Sequence, residues 1–146
     1  MQFCWHGGEP LLLGLDFYRR AMELQRRYAD GKRIENTLQT NGTLVDEAWC
    51  DLFAANNFLV GLSLDGPGDI HDAFRLTRGG KPTFERVMRT VGMFGRSGVE
   101  FNTLSGAARG AAGRSTASSA TRCTAASCSS CPPSNTSSTN RDTTVR

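Results

Sequence analysis

From Ser105 to Arg146 the chain has no Leu, Ile, Phe, Met, Trp, Tyr or Lys. Val145 is the only aliphatic residue there beyond Ala, and Ala, Ser and Thr with scattered Arg fill most of the rest. Such a segment cannot bury enough apolar surface to offset its ordering entropy, so it is excluded from a packed core and reads as a disordered tail. No apolar run approaches the length of a bilayer span. No positively charged stretch followed by an apolar one opens the chain, so no secretory leader is expected and the expected location is cytoplasmic. No G-x-G-x-x-G and no P-loop occurs, which weighs against dinucleotide and nucleoside-triphosphate sites. Histidine is scarce: His6 and His71 are the only two, and no Ser-His-Asp set is evident. A lone histidine is more often structural than a ligand or base, so neither a catalytic nor a metal-binding residue is assigned.

The formal net charge is +3. Much of that excess lies in the arginines of the tail, so it implies no nucleic-acid partner, and no membrane partner is expected either. The cysteine count is odd, at 5. Cys4 lies in a strand-like pattern and Cys50 in a helix-like one, and both read as buried free thiols. Cys123, Cys128 and Cys131 have C-x4-C-x2-C spacing, similar to part of an iron–sulfur ligand set. No fourth ligand follows, and the segment offers no fold to present them, so no metal is assigned there.

The tail has two readings. One is a natural Ser/Ala/Thr linker. The other, which we favour, is an out-of-frame translation of a GC-rich gene. Ala117–Thr124 can be encoded by bases that spell FLRDEVH in the neighbouring frame. Cys128–Asn135 can come from bases spelling LQFMPPIE, followed by HVID. The hidden frame thus holds a helix end and then an apolar strand, the next elements a β/α chain would need.

Residues 1–104 are organised differently. Phe3–Trp5 reads as the end of an apolar strand, and Gly7-Gly8-Glu9-Pro10 as a strand-to-helix turn. Leu15, Tyr18, Met22, Gln25 and Ala29 step along one helix face, and Asp30-Gly31 ends it. Ile34–Thr40 predicts a second strand, with Asn41-Gly42 turning out of it. Thr43 or Asp46 can cap a helix carrying Trp49, Leu52 and Phe53. Phe58–Leu64 is nearly all apolar, as for a strand covered on both faces. Thr83 can cap a third helix carrying Phe84, Val87, Val91 and Phe94, which Gly98 closes. Val99–Leu104 begins a fourth strand. Strands separated by helices imply right-handed crossovers and a parallel sheet. Ligands of such sheets sit at the carboxyl ends of the strands, and three of those ends carry HGGEP, QTNG and SLDG.

Each motif has a functional and a plain reading. The paired glycines Gly7 and Gly8 let backbone approach a ligand, and Glu9 could accept from an ammonium; otherwise the motif is a turn with a solvated Glu. Gln39 and Asn41 offer amides that both donate and accept; otherwise they decorate a polar turn. At the SLDG end the Ser63 hydroxyl and the Arg75 guanidinium could bind a carboxylate or ribose; otherwise Asp65 caps a turn and Arg75 pairs with Asp72 or Asp69 on the surface.

With these residues in view the chain resembles the radical S-adenosylmethionine (SAM) enzymes, and among them the anaerobic sulfatase-maturing enzymes with a SPASM-type C-terminal domain. The resemblance covers residues 1–104 through GGEP, LQTNGTLVDEAWCDLF, FLVGLSLDGPGDIHDAFR, GGKPTFERVMR and GVEFNTL. It implies an α/β fold, a partial (β/α)6 barrel related to the TIM barrel, in which Gly7, Gly8 and Glu9 contact the methionine amino group. Gln39, Ser63 and Arg75 would line the SAM pocket, with Asn41 and Asp65 shaping it. It implies SAM and a [4Fe-4S] cluster as cofactors, and a sulfatase, or another peptide, as partner. Reductive cleavage of SAM would give a 5′-deoxyadenosyl radical that begins oxidation of a Cys or Ser to formylglycine. The CxxxCxxC cluster motif that precedes GGEP in that family is absent from this sequence. The sequence therefore reads as an internal fragment of such an oxidoreductase, inactive by itself. The alternatives are a fragment of another SPASM-type peptide-modifying enzyme and a short non-catalytic binding module.

Overall fold

The computed structural model describes residues 1–106 and 121–123. Five strands form one sheet in chain order: β1 (Gln2–Trp5), β2 (Glu35–Thr40), β3 (Phe58–Ser63), β4 (Glu100–Leu104) and β5 (Thr121–Cys123). The first four are parallel and β5 runs antiparallel to β4. Helices α1 (Leu15–Tyr28), α2 (Glu47–Ala55) and α4 (Phe84–Ser97) make the crossovers, as the apolar periodicity predicts.

Two short helical elements were not foreseen. Pro10–Leu13 forms a 3-10 turn, and α3 (Gly68–Phe74) follows β3. Both are too short to show an apolar stripe. Ile70 and Phe74 on α3 are also exposed, so the hydrophobic pattern there points to nothing. Strand β5 falls in the alanine- and serine-rich tail. Main-chain hydrogen bonding to the free edge of β4 needs no apolar side chains, which is why composition did not signal it. The rest of the tail, with Cys128 and Cys131, lies outside the described residues. Ser105 and Gly106 still join the folded unit: Ser105 Oγ donates to the Leu64 carbonyl at 2.8 Å, and Gly106 N–H donates to Asp65.

The helices cover one face of the sheet. Leu38, Val60, Leu62 and Phe101 point into them and are buried. Aromatic rings run in continuous contact from Trp5 through Tyr18, Trp49, Phe53 and Phe94 to Phe101, with successive centroids 5.2–6.2 Å apart. This line joins α1, α2 and α4 to the sheet. Beside it Asn36 makes a polar node, accepting from Trp5 Nε1 at 2.9 Å and exchanging hydrogen bonds with Gln25.

The two thiols part company. Cys50 is buried, as expected, and burial pushes its pKa up. Cys4 is exposed, against expectation. Strand alternation puts Phe3 and Trp5 together on one face and Cys4 on the other, which no helix covers.

Helix capping also differs from the local reading. Asp46, not Thr43, caps α2 by accepting from Trp49 N–H at 3.0 Å. Thr43 instead donates to Asn41 Oδ1. Thr83 makes no side-chain cap on α4. That task falls to Asp72, whose Oδ1 accepts from Thr83 N–H at 2.8 Å and Phe84 N–H at 2.9 Å. Gly98 closes α4 in the left-handed region, as predicted, at φ 68°.

Candidate functional site

Parallel strands deliver their carboxyl ends to one edge of the sheet, and the three sequence motifs meet there. At the end of β1, Gly7 and Gly8 take φ of +100° and +57°, with open space where a Cβ would stand. Both therefore need to be glycine for conformation, and neither is crowded, so backbone lies bare at the edge.

Glu9 is not a solvated side chain. Its carboxylate accepts from Thr40 Oγ1 at 2.7 Å, Asn41 N–H at 2.9 Å and Leu11 N–H at 3.2 Å. It thereby latches the end of β1 to the end of β2 and caps the 3-10 turn. A carboxylate offers about four lone-pair sites, so Oε2, with one partner, keeps room for a further donor. Beneath it Tyr18 donates to the Pro10 carbonyl; burial, and then the Glu9 charge, push its phenol up to about 12.

On the face away from the helices, Gln39, Gly61 and Asn102 share one row across β2, β3 and β4. A Cβ at Gly61 would overlap the Gln39 side chain, so the glycine makes room for that amide. Gln39 Nε2 donates to Ser63 Oγ at 3.0 Å, which leaves the Ser63 hydroxyl hydrogen free to donate elsewhere. Asn102 Oδ1 is buried with no hydrogen-bond partner among the described residues. An orphaned acceptor of that kind is what a donor on a bound molecule would satisfy.

At the end of β3, Arg75 forms an ion pair with Asp65 through Nε and Nη2, rather than with Asp69 or Asp72. Burial raises the Asp65 pKa, but the Arg75 hydrogen bond and charge and the Gly106 N–H outweigh it and hold the carboxyl below 3.8. His71 packs behind the pair, fully buried. Burial, then the charge of Arg75, hold its pKa below 6.5 against the opposite pull of Asp72 and Asp65.

These directions set a pH dependence. Between the lowered pKa of His71 in the folded chain and the unfolded value near 6.5, the unfolded chain binds more protons, so stability falls as pH falls. The contribution is complete above about pH 6.5 and is lost on the way down through the folded value. Asp65 has the same sign lower down, its contribution present above 3.8 and lost below. Urea midpoints measured from about pH 7.5 to about pH 5 decline toward acid; a flat profile would sink this account.

The edge of the sheet therefore carries the backbone of Gly7 and Gly8, a carboxylate, a hydroxyl–amide pair and a guanidinium. Such a set suits a ligand that bears an ammonium, a carboxylate and further polar groups. Every site residue read from the sequence lies at this edge. The Asn41 side chain shapes its own turn, and the Asn41 backbone bonds Glu9. Asn102 is not among the residues read from the sequence, Thr83 is read there only as a helix cap, and Thr40 carries no role of its own in that reading. Thr40 lies inside QTNG, and Asn102 stands on the same strand face as Leu104, so alternation along β4 was the available signal.

Residues 2–107 match the Radical SAM superfamily. The chain belongs to that superfamily. Within it, the chain is 50% identical over 103 residues to a serine-type anaerobic sulfatase-maturating enzyme of Bacteroides thetaiotaomicron, covering 70% of this chain and 25% of that protein. It is also 50% identical over 103 residues to a cysteine-type anaerobic sulfatase-maturating enzyme of Clostridium perfringens, covering 70% and 28%. A solved structure of native anSMEcpe with bound AdoMet and Kp18Cys peptide superposes with a TM-score of 0.70 at 48% identity, covering 71% of this chain and 29% of that one. The fold is thus that of the radical SAM core in these enzymes. The chain spans about a quarter of the length of the curated relatives it matches.

Proposed function

We propose that this chain is part of a radical SAM oxidoreductase that matures sulfatases, oxidising a Cys or Ser of its target to formylglycine. The observation that carries the reading is the Glu9 latch at the end of β1, held in a segment half identical to sulfatase-maturating enzymes of both types. The equal likeness to the serine and cysteine types means that this segment does not choose between the two target residues.

The residues fit SAM. The spare lone pair of Glu9 Oε2, beside the bare backbone of Gly7 and Gly8, suits the ammonium of a methionine moiety. The Ser63 hydroxyl and Gln39 suit ribose hydroxyls. Arg75 keeps Nη1 free of the Asp65 pair, available to a carboxylate. Asn41 and Asp65 act one step back, shaping the turn and holding the guanidinium. SAM, when bound and reduced, supplies the hydrogen-abstracting radical chemistry of the superfamily.

The described residues do not fit an iron–sulfur cluster. No group of three His, Cys, Asp or Glu side chains among them could hold a metal ion. Cys4 lies on the uncovered face of the sheet and Cys50 is buried in α2 on the other, so the two thiols cannot converge. We therefore read the isolated chain as catalytically silent.

Replacing the matched segment of the cysteine-type relative with residues 2–106 of this chain tests the reading. The chimera, reconstituted with its cluster and assayed with SAM and reductant, converts a Cys-containing sulfatase peptide to formylglycine by mass spectrometry. The isolated chain, run alongside, forms none. A folded, cluster-loaded chimera without product would refute the proposal, and product from the isolated chain would refute its silence.

A further inference from the structure

The two ring nitrogens of His71 face different partners. Nδ1 lies 3.2 Å from the backbone nitrogen of Asp65. That N–H can only donate, so Nδ1 must carry a lone pair. Nε2 lies 3.1 Å from Thr83 Oγ1. A hydroxyl can donate or accept, but it has a single hydrogen. Thr83 Oγ1 also lies 2.6 Å from the Arg75 carbonyl oxygen, which can only accept. The hydroxyl hydrogen goes to the carbonyl, and Nε2 must supply a proton of its own to Thr83. One state meets both demands: the neutral ring with its proton on Nε2. A cation would set N–H against the Asp65 N–H, and the other tautomer would break both contacts. Arg75 N–H closes the circuit by donating to the His71 carbonyl at 2.8 Å.

We infer that His71, locked as the neutral Nε2–H tautomer, is a positioning residue that holds the Asp65–Arg75 ion pair at the strand end through the Asp65 backbone on one side and Thr83 on the other. The inference rests on the reading of that pair as part of the SAM pocket. His71 works through backbone: one nitrogen fixes where Asp65 leaves β3, and the other fixes the hydroxyl that pins the Arg75 carbonyl. The charged groups around it come from each neighbouring segment: Asp65 after β3, Asp72 on α3 and Arg75 after α3. From the α4 side it meets uncharged Thr83 and the edge of the Phe84 ring. With the ring fully buried, no water is at hand to replace either bond.

Nitrogen-detected NMR of the labelled full chain at about pH 7 reads the ring state directly. The expected His71 spectrum has a protonated Nε2 and an unprotonated Nδ1. Thr83→Val removes the hydroxyl at nearly constant volume, and Thr83→Ser keeps it. In Thr83→Val, Arg75 Nε–H exchanges with solvent about tenfold faster, as for the loss of one hydrogen bond, while Thr83→Ser stays within about twofold of the parent chain. A cationic or Nδ1–H His71 overturns the inference. So does Thr83→Val exchanging as slowly as the parent, and so does Thr83→Ser behaving like Thr83→Val. Should Thr83→Val fail to fold, the tautomer in the unaltered chain decides alone. None of these readouts involves SAM, so a failure of the SAM reading shows only in the chimera assay and leaves them standing.

Discussion

Glu9→Ala lowers the unfolding free energy by about 3 kcal/mol. The carboxylate accepts from Thr40 Oγ1, Asn41 N–H and Leu11 N–H, two of them from the end of the next strand. Hydrogen bonds to a charged acceptor contribute about 1.5–3 kcal/mol each. Water reaches this half-buried edge and replaces much of what is lost, so the net cost falls below the sum of the three, at about twice the lower single-bond value. Thr40 Oγ1 still accepts from Gly42 N–H at 3.1 Å, but its hydroxyl hydrogen, like Asn41 N–H and Leu11 N–H, loses its acceptor. Glu9→Gln recovers only part, because one of its terminal atoms becomes a donor and the Asn41 N–H can no longer be met without a turn of the amide. In the chimera the same alanine change removes formylglycine formation, since the latch and the proposed ammonium contact are one group. Chemical denaturation of the chain and its two variants decides the first part. Midpoints equal to that of the parent would mean that the carboxylate is merely solvated.

The larger effect on folding comes from Phe53→Ala. Phe53 is completely buried, with ring centroids 5.2 Å from Phe58, 5.6 Å from Trp49 and 6.2 Å from Phe94. It is the joint at which α2, α4 and β3 meet. Truncating a buried phenylalanine costs about 3–5 kcal/mol, as lost transfer energy plus the cavity left behind. Domains of this size have about 5–15 kcal/mol in all. A sheet whose β1 edge pairs with no strand among the described residues sits toward the lower part of that range. Phe53→Ala therefore loses its cooperative thermal transition and its near-ultraviolet dichroism, while Phe53→Leu keeps both at a lower midpoint. A cooperative melt of Phe53→Ala within about 1 kcal/mol of the parent would show that the aromatic line is not the core of this fold.

Much of the fold was legible along the chain because its signals are local. The stripe of Tyr18 and Met22, the stops at Gly31 and Gly98 and the apolar run at Phe58–Leu64 each reflect a period or a backbone preference that needs no distant partner. The order of elements then dictated a parallel sheet, and that placed HGGEP, QTNG and SLDG on one edge. The short helix α3 left no such trace, with seven residues and two exposed apolar side chains. Cys4 misled for a related reason. Its strand pattern was read correctly, but which face the helices cover depends on crossovers later in the chain.

By itself, then, the sequence determined the α/β order, the parallel sheet, the helix faces and the identity of the strand-end residues, because propensity and periodicity act between near neighbours. Only the tertiary structure decided how those residues are paired. Glu9 finds Thr40 and Asn41 over a separation of 31 and 32 residues. Asp72 caps α4 in place of Thr83, Arg75 turns to Asp65 rather than to the nearer Asp72, and His71 is left with one tautomer. Each is a polar group taken from water as the helices close on the sheet. Its partner is whichever donor or acceptor the closed fold brings within about 3 Å, and no local pattern encodes that distance.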